Sequence, residues 1–304
     1  MQKYITLAAF ISLGVIWGSN FIFMKWAAEW INATQITLLR VAFGFIPLLL
    51  VALFTRSLRK SHFAYWYHFV AMSVLATTLY YFAFAKGTAL LPSSVAGMLS
   101  GSIPLFTFLA ALFFLTGEPV NKNSVCGILL GFSGVVLIAE PWNTGAEQVN
   151  LTGVLYMTAG ALSVGISFVY ARKYVKPLNL NPIALATYQT GLSLLMLPLG
   201  TDLYDIGAVF QDTKAFIGLA VGLGVFGTGI AYIIYYFLVN RMGAIAASGV
   251  TYIPPVVALL IGALFVGESV SVIDILAMSL ILIGVWRVQI ARKNAFSKAS
   301  SPDS

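Results

Sequence analysis

Ten long apolar stretches, each close to the length of a bilayer crossing and joined by short connections, leave this chain few ways to fold. They run over 4–26, 34–54, 65–85, 93–115, 124–139, 152–171, 182–199, 215–238, 244–266 and 272–290. A hydrocarbon core of about 30 Å needs roughly 20 apolar residues per helix, and backbone facing lipid has to satisfy its own hydrogen bonds. A spanning barrel requires alternating segments of about ten residues, whereas these runs are continuous. The expectation is an all-α integral membrane protein with ten transmembrane helices. Composition agrees, with 60% hydrophobic residues, 9% charged and a mean hydropathy of +0.92. Such a chain has too few polar groups to cover a water-soluble fold and too much apolar surface to stay disordered. The first stretch is too long for a signal-peptide core and lacks a small-residue cleavage site, so it reads as a retained helix. The lone Cys126 excludes an intrachain disulfide.

Charge placement sets the expected orientation. With the amino terminus inside, 13 of the 17 basic residues fall on the cytoplasmic side: Lys3, the clusters at 56–60 and 172–176, Lys122, Arg241, and four between 287 and 298. Eight of the ten acidic residues fall on the other side, Glu29, Asp212, Glu268 and Asp274 among them. Basic loops resist translocation, so both termini are expected in the cytoplasm. The net charge of +7 follows from these short clusters and not from one basic face, so nucleic acid is not expected as a partner. Trp26, Trp30, Tyr65, Trp66 and Tyr67 stand at span ends as interfacial belts.

The chain also repeats itself. Pro104 precedes Gly117-Glu118, and Pro254 precedes Gly267-Glu268, with the glutamate 14 residues after the proline in both; Gly134 and Gly284 stand 16 residues beyond each glutamate. Upstream, Tyr80-Tyr81-Phe82 answers Tyr235-Tyr236-Phe237, and Trp17-Gly18-Ser19-Asn20-Phe21 aligns more weakly with Val164-Gly165-Ile166-Ser167-Phe168. Five spans per half is an odd number, so the second copy is expected to enter the membrane upside down. The expected organisation is a five-helix repeat over 1–142, an inverted five-helix repeat over 150–290, and a disordered cytoplasmic tail over 291–304. Inverted repeats place a substrate near the midplane where the halves meet.

The five-plus-five layout, the Trp-Gly-x-x-Phe start and Pro…Gly-Glu in each half resemble the EamA family of the drug/metabolite transporter superfamily, over roughly residues 5 to 290. Within it the chain looks closest to bacterial aromatic amino acid exporters. The resemblance implies multi-pass residence in the bacterial inner membrane and export of amino acids or related metabolites, with no cofactor.

Among charged residues, only Arg40 lies well inside a span, about six residues or ~9 Å from the start of its helix. It is placed to take a substrate carboxylate, to pair across the bundle, or to snorkel to the headgroups. Gln189 is its rough counterpart in the second copy. Trp17, Tyr80, Tyr81, Tyr232 and Tyr252 lie within spans and are expected in a cavity or bundle contact, where a hydroxyl finds a partner. Asn20, Ser100, Ser102, Ser248 and Thr251 offer polar groups for a zwitterion. The expected partner is therefore a neutral or zwitterionic amino acid, carried by a monomer or weak dimer in the lipid bilayer. Pro104 and Pro254 remove backbone hydrogen bonds within spans and are expected as hinges. No span carries Asp or Glu near its centre, so no buried carboxylate relay and no metal site is expected.

Several patterns read as structural. Gly14-x-x-x-Gly18, Gly97-x-x-x-Gly101, Gly127-x-x-x-Gly131 and Gly218-x-x-x-Gly222 permit close helix approach. Gly222-x-Gly224-x-x-Gly227 mimics a dinucleotide fingerprint, but without a strand before it or an acid about 20 residues later. Asn32-Ala-Thr34 and Asn150-Leu-Thr152 fit a glycosylation sequon. The alternatives to an amino acid carrier are a carrier of unrelated amphipathic metabolites or drugs, a channel, or a membrane-embedded enzyme. An enzyme would need a nucleophile–base pair, paired carboxylates or a metal cluster in the spans; Cys126 has no histidine in its own or adjoining spans.

Overall fold

The structure, a computed structural model, describes residues 2–115, 120–140, 142 and 149–300, without the side chains at 2, 243–246, 248 and 292–300. Gly117 and Glu118, the first-half members of the repeat, lie outside the described residues. Among the described residues there is no strand. Ten helices among the described residues are long and apolar enough to cross a membrane: span 1 (Lys3–Ala28), span 2 (Ala33–Phe54), span 3 (Lys60–Leu90), span 4 (Ser93–Phe114), span 5 (Lys122–Ala139), span 6 (Leu151–Leu178), span 7 (Pro182–Gly200), span 8 (Thr213–Met242), span 9 (Gly249–Val266) and span 10 (Val272–Ala291). The protein is an all-α, multi-pass membrane protein.

Side-chain caps fix many of the starts. Asn32 accepts from Thr34 N and Gln35 N while Gln35 returns a bond to Asn32 N, a capping box that opens span 2. Asn121 and Ser124 do the same for span 5, and Asn150, Asn181 and Asp212 cap the helices at spans 6, 7 and 8. Both Asn-x-Thr sequences are thus helix caps.

Two boundaries differ from expectation. The helix of span 8 runs on to Ser248, so 244–248 ends that helix instead of starting span 9. Gly243 alone does not stop a helix, and the backbone changes only at Gly249, ahead of the prolines. The last helix continues to Ser300, so the stretch 291–304, expected as a disordered tail, is helical up to that point. The segment 291–300 contains neither Gly nor Pro, and an existing helix adds residues at little cost; 301–304 lie outside the described residues.

Glycines set the tightest crossings. Spans 5 and 10 lie along each other, and a Cβ added at Gly284 would come within 2.5 Å of Gly127 O and Gly131 N. Such backbone contact gains dispersion that a bulkier pair would forfeit. Span 8 carries a long π-helical stretch, Gly218–Ile230, whose glycines receive Phe23 of span 1 and Phe43 and Pro47 of span 2. The nucleotide-like glycine pattern is therefore a packing surface. Spans 4 and 9 are both broken: span 4 into Ser93–Ser100 and Ile103–Phe114, span 9 between Gly249–Tyr252 and Ile253–Ile261. Pro104 and Pro254 stand in the first turn of the helix that follows each break, where a missing N–H costs nothing. The two broken spans pack on each other, with Gly97 against Ala258 and Gly101 against Pro255.

Candidate functional site

Span 2 starts at a firm cap, and two turns later Arg40 points into the bundle. It is 4% exposed, which removes the snorkelling alternative. Its Nε donates to Thr228 Oγ1 at 3.0 Å and one terminal nitrogen lies 3.5 Å from Gly227 O, both on span 8. The other terminal nitrogen meets Met24 Sδ at 3.9 Å, and the guanidinium carbon sits 3.8 Å over the Tyr81 ring. Stacking of this kind is worth about 2 kcal/mol when desolvated. With its amide turned to satisfy both ends, Asn20 donates to Ile16 O (3.1 Å) and accepts from Arg40 (3.3 Å). Among the described residues, no carboxylate is recorded as a partner of this guanidinium.

Thr228 is fully buried and donates to Leu223 O, five residues back, a bond natural to the π-helical winding there. Gly227 leaves room for Asn20, whose side-chain amide occupies the place a Cβ would take. Span 1, span 2 and span 8 therefore converge on one buried polar point.

Aromatic rings extend from it in both directions. Tyr81 lies tilted beside Tyr80 (centroids 5.0 Å apart), which packs edge-on to Phe84 at 4.6 Å. On the other side Tyr81 adjoins Tyr232. Tyr232 lies parallel to Tyr236 at 6.2 Å, Tyr236 meets Tyr235 at 5.7 Å, and Tyr235 reaches Trp17 at 5.9 Å. The Tyr232 hydroxyl accepts from Gln189 Nε2 at 3.1 Å. Gln189 is 2% exposed and its Oε1 has no hydrogen-bond partner, nor has the Tyr252 hydroxyl. A buried polar atom without a partner is costly.

Asn20, Arg40, Tyr80, Tyr81, Gln189 and Tyr232 thus form one contiguous group, with Trp17 joined through Tyr235 and Tyr236. Ser100 and Ser102 donate to Gly97 O and Leu99 O at the break in span 4, and Tyr252 ends the first segment of span 9. The side chain of Ser248 lies outside the described residues. Sequence reasoning missed Thr228 and Met24 as neighbours of Arg40, and Tyr235 and Tyr236 as the rings that join Trp17 to Tyr232. The available signal was Thr228, the single polar side chain within Gly218–Ile230. Among the described residues no group of three His, Cys, Asp or Glu is placed to hold a metal.

Comparison with known proteins gives two matches to one family model, the EamA-like transporter family, over residues 4–139 and 151–288. An uncharacterized transporter of Archaeoglobus fulgidus is 24% identical over 288 residues, covering 95% of this chain and 99% of the relative. The uncharacterized transporter YoaV of Bacillus subtilis is 25% identical, covering 91% of this chain and 94% of its own length. The uncharacterized inner membrane transporter YedA of Escherichia coli is 27% identical over 66% of this chain and 63% of its own. One solved protein structure shares the fold, with a TM-score of 0.62 and 22% identity over 98% of this chain and 99% of that one.

Proposed function

The chain belongs to the EamA-like transporter family, and from that premise we propose that it exports neutral or zwitterionic metabolites, aromatic amino acids foremost, across a bacterial inner membrane by alternating access. The observation that carries the substrate class is Arg40, a buried guanidinium whose recorded partners among the described residues include no carboxylate. A charge held out of water is expensive until paired, so a substrate carboxylate would complete the site. The ladder from Trp17 to Phe84 supplies flat faces for an aromatic side chain, and Gln189 Oε1 supplies an acceptor for an ammonium. Met and Thr fit the same polar frame with smaller apolar parts.

The halves are read as inverted repeats over 1–142 and 150–290, with both chain ends in the cytoplasm. The double family match supports this, as does the packing: span 4 lies on span 6 as span 9 lies on span 1, while spans 5 and 10 pair with each other. Such pairing is what a two-fold axis in the membrane plane produces. The breaks at Pro104 and Pro254 are the hinges about which one half rocks. We read transport as running down the substrate gradient, in line with the site carrying no carboxylate among the described residues. Counterflow of labelled phenylalanine into preloaded proteoliposomes tests the carrier reading: exchange without an imposed pH gradient supports it, and strict dependence on that gradient contradicts the coupling. A membrane-embedded enzyme would convert the label instead of exchanging it.

A further inference from the structure

On the face opposite the chain ends, Glu268 leaves the second half and completes a helix of the first. Its Oε1 accepts from Ser93 N at 2.7 Å and from Ser93 Oγ at 2.8 Å, and its Oε2 accepts from Ser94 N at 2.8 Å. These are first-turn N–H groups of Ser93–Ser100, a helix preceded by Pro92 and lacking any side-chain cap of its own. Such groups need an acceptor, and a carboxylate there also meets the positive end of the helix dipole.

The glutamate is held in position. Gly267 turns the chain at φ +74°, Glu268 N donates to Gly262 O at 2.9 Å, and its carboxylate packs on Gly262 where a Cβ would stand. Beside it Lys25 of span 1 donates to Leu91 O at 2.8 Å and lies near Ala89 O at 3.4 Å, at the negative end of span 3. The corner between spans 3 and 4 is therefore capped by two opposite charges, one on its carbonyls and one on its amides. A 310 Å³ cavity opens alongside, lined by Trp26, Glu29, Asp212 and Lys214 as well as by the pair itself.

A local N-cap residue would satisfy the same amides with less ordering. Placing the cap on the other half makes the helix end complete only while the halves are together. The capped segment is also one that ends at a backbone break, after Ser100 and ahead of Pro104. We propose that Glu268, with Lys25, is the outer latch of the transport cycle, joined to Ser93 and Ser94 while the outer face is shut and released when that face opens to the Arg40 cluster. The inference rests on the alternating-access reading above. Water replaces the three bonds when the latch opens, so it biases the equilibrium without locking it.

The test uses the full chain with Cys126→Ala and one reporter cysteine at Ile22, a buried residue that lines the cavity. A membrane-impermeant thiol reagent is added from outside. Glu268→Gln puts an amide donor against Ser94 N–H and is expected to raise labelling of Ile22→Cys by roughly tenfold, the worth of a hydrogen bond to a charged group. Glu268→Asp and Ser93→Ala, which shorten the reach or remove one bond, give smaller increases and serve if the glutamine variant does not fold. Leu13→Cys, fully buried elsewhere on span 1, is the control. A rise at Ile22→Cys alone supports the latch. No rise, or an equal rise at Leu13→Cys, overturns it. Failure of wild-type counterflow would instead overturn the carrier reading, so the two outcomes stay distinct.

Discussion

Arg40 Nε donates to Thr228 Oγ1 across 3.0 Å, and this bond joins span 2 of the first half to span 8 of the second. It is buried at both ends, so neither group can turn to water if the other is lost. The centre of the bundle is thus built around a cation oriented by Thr228, Gly227 and Asn20, with no carboxylate partner among the described residues.

Thr228→Val keeps the shape and removes the acceptor. Leaving a buried charged donor short of one bond is expected to lower stability by about 1–3 kcal/mol, read as a lower melting temperature in detergent. Thr228→Ser, which restores the hydroxyl, recovers most of it. Equal stability of the valine and serine variants would contradict the assigned bond.

The contact of spans 5 and 10 depends on the absence of side chains at Gly127, Gly131 and Gly284. Gly284→Ala would set its Cβ against the backbone of the facing helix, which cannot retreat as a flexible side chain can. A loss of about 1–3 kcal/mol is expected, seen as a lower thermal midpoint without change in substrate selectivity. Normal stability would mean the helices separate there easily.

Pro104 and Pro254 keep two helices from running back through their breaks. Alanine at either position permits continuation toward Ser102 or Tyr252. The expected result is slower counterflow with little change in apparent substrate affinity, because the hinge is stiffened while the binding groups stay. Unchanged rate and affinity in both variants would remove the hinge role.

Burial pushes the Glu268 carboxyl up, but hydrogen bonds from Ser94 and Ser93 outweigh it and hold the group below the ordinary carboxylate range. The charges facing it are Lys25 and, around the cavity, Glu29, Asp212 and Lys214. A group whose folded value is lowered adds stability that is full above the unfolded value and is lost as pH falls through the folded one. The melting-temperature gap between wild type and Glu268→Gln should therefore hold from neutral pH down to the ordinary glutamate value, about 4.3, and close below it. A gap that persists into strong acid would contradict the carboxylate's role.

The membrane fold was legible because lipid demands long apolar helices, and ten such runs admit little else. Boundaries were harder: Gly243 resembles a stop yet lies inside a helix, and the last helix continues past Ala291 to Ser300 without any breaker. Arg40 stood out as a charge in an apolar run, but its depth in the bundle depends on which way span 2 faces. That facing is fixed by the glycine-lined groove of span 8, a tertiary fact. Thr228 was hidden for the same reason, directly after a glycine pattern that mimics a nucleotide loop. Glu268 was visible as half of a repeated Gly-Glu pair, whereas its partners, Ser93 and Ser94, lie 175 and 174 residues away in sequence.

The central claim is that the Arg40 guanidinium takes the carboxylate of the substrate. It is tested by competition: unlabelled phenylalanine, phenylalaninamide and phenethylamine are set against counterflow of labelled phenylalanine, in wild type and in Arg40→Gln. The account predicts that in wild type only the free acid competes well, by roughly 10–100-fold over the two analogues, the worth of a charge-assisted bond, and that Arg40→Gln slows counterflow sharply and shows no preference for the acid in what remains. Equal competition by all three compounds in wild type, or full preference for the acid retained in Arg40→Gln, would contradict it.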